Sequence, residues 1–206
     1  MKGRRPRNRQ GAPANKNEVE LVLAALQESA RAKIELGPDE AGRIALAARM
    51  MVDAFRGGHK VIFFGNGGSA ADAQHLAAEL VGKFGKVRAA LPAIALNVNT
   101  SVLTSISNDI EYSAVFSRQI EALASPGDVV IGISTSGRSP SILEGIRAAR
   151  LKGARTIGMT GLGGEPLRRM VDLCLSAPSH KTPRIQEVHI TIGHIICELV
   201  ENKLFG

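Results

Sequence analysis

Four side chains able to ligate a metal or move a proton lie in two stretches of this 206-residue sequence. His75 and Glu79 are four apart, so on a helix they share a face. Gln186 and His194 are eight apart, offset by about 80° on a helix, and can address one pocket. His189, five residues before His194, projects about 140° away and is expected off that face. Imidazole and carboxylate groups at such spacing suit metal ligation or acid–base work. Both pairs also have plain structural readings. His75–Glu79 alone reads more often as a surface pair or a capped core histidine. His194, inside Ile192-Gly193-His194-Ile195-Ile196, reads as a satisfied core histidine.

Two further stretches could hold an anion. Gly65-Asn66-Gly67-Gly68-Ser69 lets backbone N–H groups approach a ligand closely. Ala70 stands where a dinucleotide fingerprint needs its third glycine, and no Gly-Lys-Ser/Thr follows as in a nucleotide P-loop. Ser134-Thr135-Ser136-Gly137-Arg138-Ser139 places four hydroxyl groups within six residues. A helix cap needs one such group. Four of them, with free N–H groups and a helix dipole, suit a phosphate monoester.

The elements that must position these groups follow from hydrophobic patterning. Asn17 is placed to cap a helix over 18–36, which Gly37-Pro38 should break, and a second helix is expected over 39–56. Short, uniformly apolar strands are predicted at 61–64, 93–96, 129–133, 156–159 and 173–175. Helices are predicted from 70 to about 81, through about 152, and from 184 to about 203. Apolar strands alternating with helices imply a parallel sheet covered on both faces. The expected fold is therefore a doubly wound α/β three-layer sandwich with an added N-terminal helical hairpin. In such folds ligands sit beyond the carboxyl ends of the strands. Both glycine and hydroxyl segments follow predicted strands.

Composition narrows the function classes. Apolar residues make up 44% of the chain and charged residues 22%, which suits a packed core. No run of about 18 apolar residues exists to span a membrane. The N-terminus lacks the apolar stretch of a secretory signal. Two cysteines, Cys174 and Cys197, exclude a disulfide scaffold or a Cys-rich zinc module and fit a reducing cytoplasm. The net charge of +7 is local: residues 1–16 hold six Lys/Arg and no acid, leaving 20 basic against 19 acidic residues. That segment reads as a disordered basic tail and 17–206 as one domain. With aromatics at 3% and no Trp, there is no stacking platform for single-stranded nucleic acid, and nucleic-acid binding is not expected. The apolar surplus on the terminal helices points to packing between chains.

Taken together, G-N-G-G-S, D-A-Q-H-L-A-A-E-L, I-S-T-S-G-R-S and R-I-Q-E-V-H-I-T-I-G-H resemble the phosphoheptose isomerases of the sugar-isomerase (SIS) fold family, over residues 17–205. The resemblance implies conversion of D-sedoheptulose 7-phosphate to D-glycero-D-manno-heptose 7-phosphate through an ene-diolate. That step opens the route to ADP-heptose and the lipopolysaccharide core. It assigns Ser134, Thr135, Ser136 and Ser139 to the phosphate. Asn66, Gly67, Gly68, Ser69, Asn108, Asp109, Glu79 and Gln186 are assigned to the sugar. His75, Glu79, Gln186 and His194 are assigned to one zinc ion, and Glu79 with His194 to acid–base catalysis. It further implies a cytoplasmic homotetramer. Pro183 stands where some members have an aspartate, so a substrate contact from there is not expected. The rival readings are a non-catalytic module resembling the DnaA initiator-associating proteins, and a sugar-phosphate sensor. Leu91–Asn97 and Pro178-Ser179-His180 resemble the former, but Glu79 and His194, which those proteins lack, are both present.

Overall fold

The structure, a computed structural model, describes residues 15–206. The expected tail therefore lies, up to residue 14, outside the described residues. Five parallel strands form one sheet in the order β2-β1-β3-β4-β5. They are β1 (Val61–Gly65), β2 (Ala93–Ala95), β3 (Val129–Ile133), β4 (Arg155–Thr160) and β5 (Leu173–Ser176). β1 pairs with β3 from Val61↔Val129 to Gly65↔Ile133, which brings the ends of these two strands level.

Strand alternation builds a core on each face. Val61, Phe63, Ile131, Ile133, Ile157 and Met159 pack with three helices: α2 (Gly37–Arg56), α3 (Gly68–Val81) and α8 (Thr182–Phe205). Ile62, Phe64 and Val130 face the opposite way. They pack with α5 (Ser117–Leu123), α6 (Pro140–Leu151) and Leu167 of the short α7 (Glu165–Arg168). The fold is the expected doubly wound sandwich. α1 (Lys16–Ile34) and α2 form the added N-terminal pair. Among the described residues, no helix is long and apolar enough to cross a membrane. Cys174 and Cys197 are both buried and unbridged.

Three details differ from expectation. α1 is capped by Asn15 rather than Asn17. The Asn15 side chain accepts from the Asn17 N–H, and Glu18 answers with its carboxylate on the Asn15 N–H, completing a capping box. Gly37-Pro38 opens α2 instead of only separating two helices, since proline is well suited to a first helical turn. The segment between β2 and β3, left without elements by its sequence pattern, holds α4 (Thr100–Asp109), a 3₁₀ turn at Tyr112–Ala114, and α5.

Candidate active site

β1 and β3 are neighbours whose following connections leave in opposite directions, α3 toward β2 and α6 toward β4. This is the topological switch point, where a crevice opens at the strand ends. A cavity of about 280 Å³ lies there, lined by Asn66, Gly67, Gly68, Ser69, Ile133, Ser134, Thr135, Ser136, Ser139, Thr182 and Gln186.

Three helices begin at this cavity. Gly67, Ser139 and Lys181 occupy the positions preceding α3, α6 and α8, and none makes a side-chain capping bond. Backbone bonds already engage part of each first turn, with the Ser69 N–H on Asn66 O, the Ala70 N–H on Gly67 O and the Ile142 N–H on Ser139 O, while the positive ends of three helix dipoles still face the cavity and favour an anion. The hydroxyl loop is held on both sides by β4 and its extension: the Ser134 N–H donates to Met159 O (2.9 Å), and the Gly161 N–H donates to Thr135 O (3.1 Å). Gly137 turns the loop at φ +62°, so close to Gly164 that a β-carbon there would have no room.

Asn66 clamps the two loops together. Its Nδ2 donates to Ser139 Oγ (2.9 Å) and Ser141 Oγ (3.0 Å), while its Oδ1 accepts from the Tyr112 hydroxyl (2.7 Å). Asn97 Nδ2 fixes the start of the glycine loop through Gly65 O (2.8 Å). Ser141, Tyr112, Asn97 and Thr182 were missed from sequence. The lone tyrosine was a usable signal, but nothing in its spacing linked it to Asn66.

The second half of the site lies between α3 and α8. Gly193 lets these helices close together: a β-carbon there would fall 2.4 Å from Leu76 Cδ2. The next residue, His194, brings its Nε2 to 2.9 Å from Nε2 of His75, whose own Nε2 is 3.2 Å from Glu79 Oε1. One ligand atom from each of the three lies within 4.8 Å of the others. Two imidazoles and one carboxylate at this spacing match the nitrogen and oxygen donor set and short ligand separations of a zinc-type site. Gln186 lies two helical turns nearer the cavity, its Nε2 against Gly68.

Asp72 shares the face of α3 with Gly68, His75 and Glu79. Burial pushes its carboxyl up to about 6, opposed by the nearby His75, and its Oδ2 has no hydrogen-bond partner. His189 points away from this groove. It is fully buried, its Nε2 bonded to Thr160 O (3.1 Å), and burial pushes its pKa down to about 4 against the pull of that carbonyl. Asn108 and Asp109 sit at the end of α4, bonded to each other at 2.7 Å. Asp109 lines a separate cavity between β2, α4 and α5, so within one chain these two residues are not brought to the phosphate-type pocket. Pro183 lies in the first turn of α8, where its missing N–H costs no helical bond.

A doubly wound sheet with a polar pocket at its switch point and an imidazole–carboxylate cluster beside it defines an α/β protein with a ligand site at its strand ends. The SIS domain profile matches residues 24–161. The chain belongs to the SIS domain family and, within it, to the phosphoheptose isomerases. It is 52% identical to the phosphoheptose isomerase of Geobacter sulfurreducens over 187 residues, covering 91% of this chain and 99% of that one. It is 53% identical to that of a Roseiflexus species over 184 residues, covering 89% and 93%. Among solved structures, the phosphoheptose isomerase of Neisseria gonorrhoeae superposes with a TM-score of 0.85 at 40% identity, covering 90% of this chain and 99% of that one. That of Francisella tularensis gives 0.86 at 34% identity, covering 90% and 98%.

Proposed function

We propose that this chain interconverts D-sedoheptulose 7-phosphate and D-glycero-D-manno-heptose 7-phosphate, supplying the heptose of a surface glycan. The observation that carries the reading is the pairing, on α3 and α8, of a pocket facing three helix N-termini with the His75–Glu79–His194 cluster two turns further along. Seven residues of α3 separate Gly68 from His75, a rise of about 10 Å. An extended heptose phosphate bridges a span of that order, with its phosphate in the pocket and C1–C2 at the cluster.

The phosphate is held by the hydroxyls of Ser134, Thr135, Ser136 and Ser139 with the helix N–H groups, while Asn66 and Ser69 meet the sugar. Glu79 takes a proton from C1, leaving the ene-diolate, and returns a proton to C2. His194 relays the O1 proton to O2, so the ketose becomes the aldose with no net proton change. His75, Glu79 and His194 would hold zinc, which would polarise the carbonyl and offset the developing negative charge, and the resemblance adds Gln186, whose side chain here lies against Gly68, as a fourth ligand. A carboxylate has two oxygens, so Glu79 can serve ligation and proton transfer together. Asn108 and Asp109 are assigned to the sugar hydroxyls by the same resemblance.

The apolar face that α1 leaves exposed, with Val19, Val22, Leu23, Leu26 and Ile34, supports a symmetric assembly, and we take it to be a homotetramer. Sedimentation of the full chain gives the stoichiometry. A cytoplasmic location goes with this reading. Presence of both Glu79 and His194 favours catalysis over a non-catalytic binding module or a sensor. The test is an aldose-formation assay on sedoheptulose 7-phosphate before and after chelation. Activity should be lost on stripping the metal and restored by zinc. Full activity in the stripped protein would remove the metal from the reaction.

A further inference from the structure

The loop between α3 and β2 is tied down far more firmly than its exposure warrants. Gly82, Lys83, Gly85 and Val87 are exposed, yet the loop's backbone is gripped by a carboxylate from the far end of α8. Glu201, 3% exposed, accepts from the N–H groups of Phe84 (3.2 Å), Gly85 (2.8 Å) and Lys86 (2.8 Å), and from Arg88 Nε (2.9 Å). The guanidinium of Arg88 also donates to the carbonyls of Leu80 (2.8 Å) and Glu79 (2.9 Å), closing the last turn of α3. Burying an ion pair costs desolvation on both partners, and replacing such a pair with apolar groups is often neutral or stabilising. Stability alone therefore gives little reason for this arrangement. What it does fix is a side chain: Phe84, whose ring lies 5.6 Å from the ring of His194 at 46°, while His75 approaches the same imidazole at 5.1 Å.

We propose that Phe84, held by the Arg88–Glu201 pair, is a positioning residue for His194. Its ring confines the imidazole to the orientation in which Nε2 faces His75 and Glu79, and it shields that side of the cluster from water. Arg88, in the same loop, acts on the site from the α3 side by bonding the backbone carbonyl of Glu79 (2.9 Å). The role given to His194 rests on the isomerase reading; the contact itself does not.

The experiment compares Phe84→Ala and Phe84→Tyr in the full chain. Zinc affinity is measured by competition with a chromophoric chelator, and kcat and KM are measured on sedoheptulose 7-phosphate. Loss of the ring should weaken zinc binding and lower kcat by about 10- to 100-fold, the range seen when groups supporting metal ligands are removed. KM should hold, because the phosphate pocket is untouched, and Phe84→Tyr should restore both quantities. Wild-type zinc affinity and kcat in a folded Phe84→Ala protein would overturn the proposal, as would equal losses in Phe84→Tyr. If the wild-type chain neither binds zinc nor forms aldose, the functional reading fails separately. The contact is then tested on the metal-free protein by the His194 imidazole proton resonances: Phe84→Ala should shift them, and unmoved resonances would overturn the positioning role.

Discussion

His189 and His194 lie five residues apart on one helix and meet opposite surroundings. His194 stands in the groove against His75, whereas His189 is sealed against the end of β4 with Nδ1 unpartnered. The difference has a consequence for pH. The pKa of His189 falls from the usual 6.5 to about 4 in the folded chain, so between those values the unfolded chain binds the proton that the native state refuses. Its contribution is complete above pH 6.5 and is lost as pH falls toward 4, by up to about 3 kcal/mol. Urea midpoints at pH 7 and pH 5 should therefore differ more for the wild type than for His189→Gln; equal differences would place the acid sensitivity elsewhere. At this scale the sequence was informative where side-chain chemistry was dense. Four hydroxyls beside a glycine announced an anion loop, and helical spacing separated His189 from His194. Tyr112 and Ser141 were not legible, because their link to Asn66 exists only after two distant loops meet.

At the scale of elements, β1 and β3 were readable because both faces of each are buried, which enforces uniformly apolar runs, while the edge strand β2, half-buried at Ala93 and Ile94, was readable from its short apolar run alone. α4 was not, since none of its residues is fully buried and its apolar stripe is only Val102, Leu103 and Ile106 within a Thr- and Ser-rich run. α5 spans only Ser117–Leu123, too short for periodicity to register. The loops that join strand to helix line the pocket, and Gly137 is the residue on which the hydroxyl loop turns. Its φ of +62° disfavours any side chain, and a β-carbon would sit 2.5 Å from the Gly164 α-carbon. Gly137→Ala should lose about 1–3 kcal/mol of stability or more. It should also raise KM more than it lowers kcat, because it disturbs the phosphate grip and not the histidine cluster. A variant with unchanged melting temperature and KM would show that the loop can turn without glycine.

At the scale of the molecule, the strand order makes the site. Placing β1 beside β3 sets the two anion loops side by side, and packing α8 against α3 brings residues more than a hundred positions apart in sequence to a separation of 2.9 Å. Periodicity alone could give each helix a face but not match the two faces; the resemblance to known isomerases supplied that pairing ahead of the geometry. The central claim is that this juxtaposition moves a proton from C1 to C2 of a ketose phosphate, with Glu79 as the base. Turnover of sedoheptulose 7-phosphate by Glu79→Gln, alongside its melting temperature and its affinity for the substrate, tests that claim most directly. A folded protein that still binds the sugar phosphate but forms no aldose is the predicted result. Turnover near the wild-type rate in that variant would contradict the account.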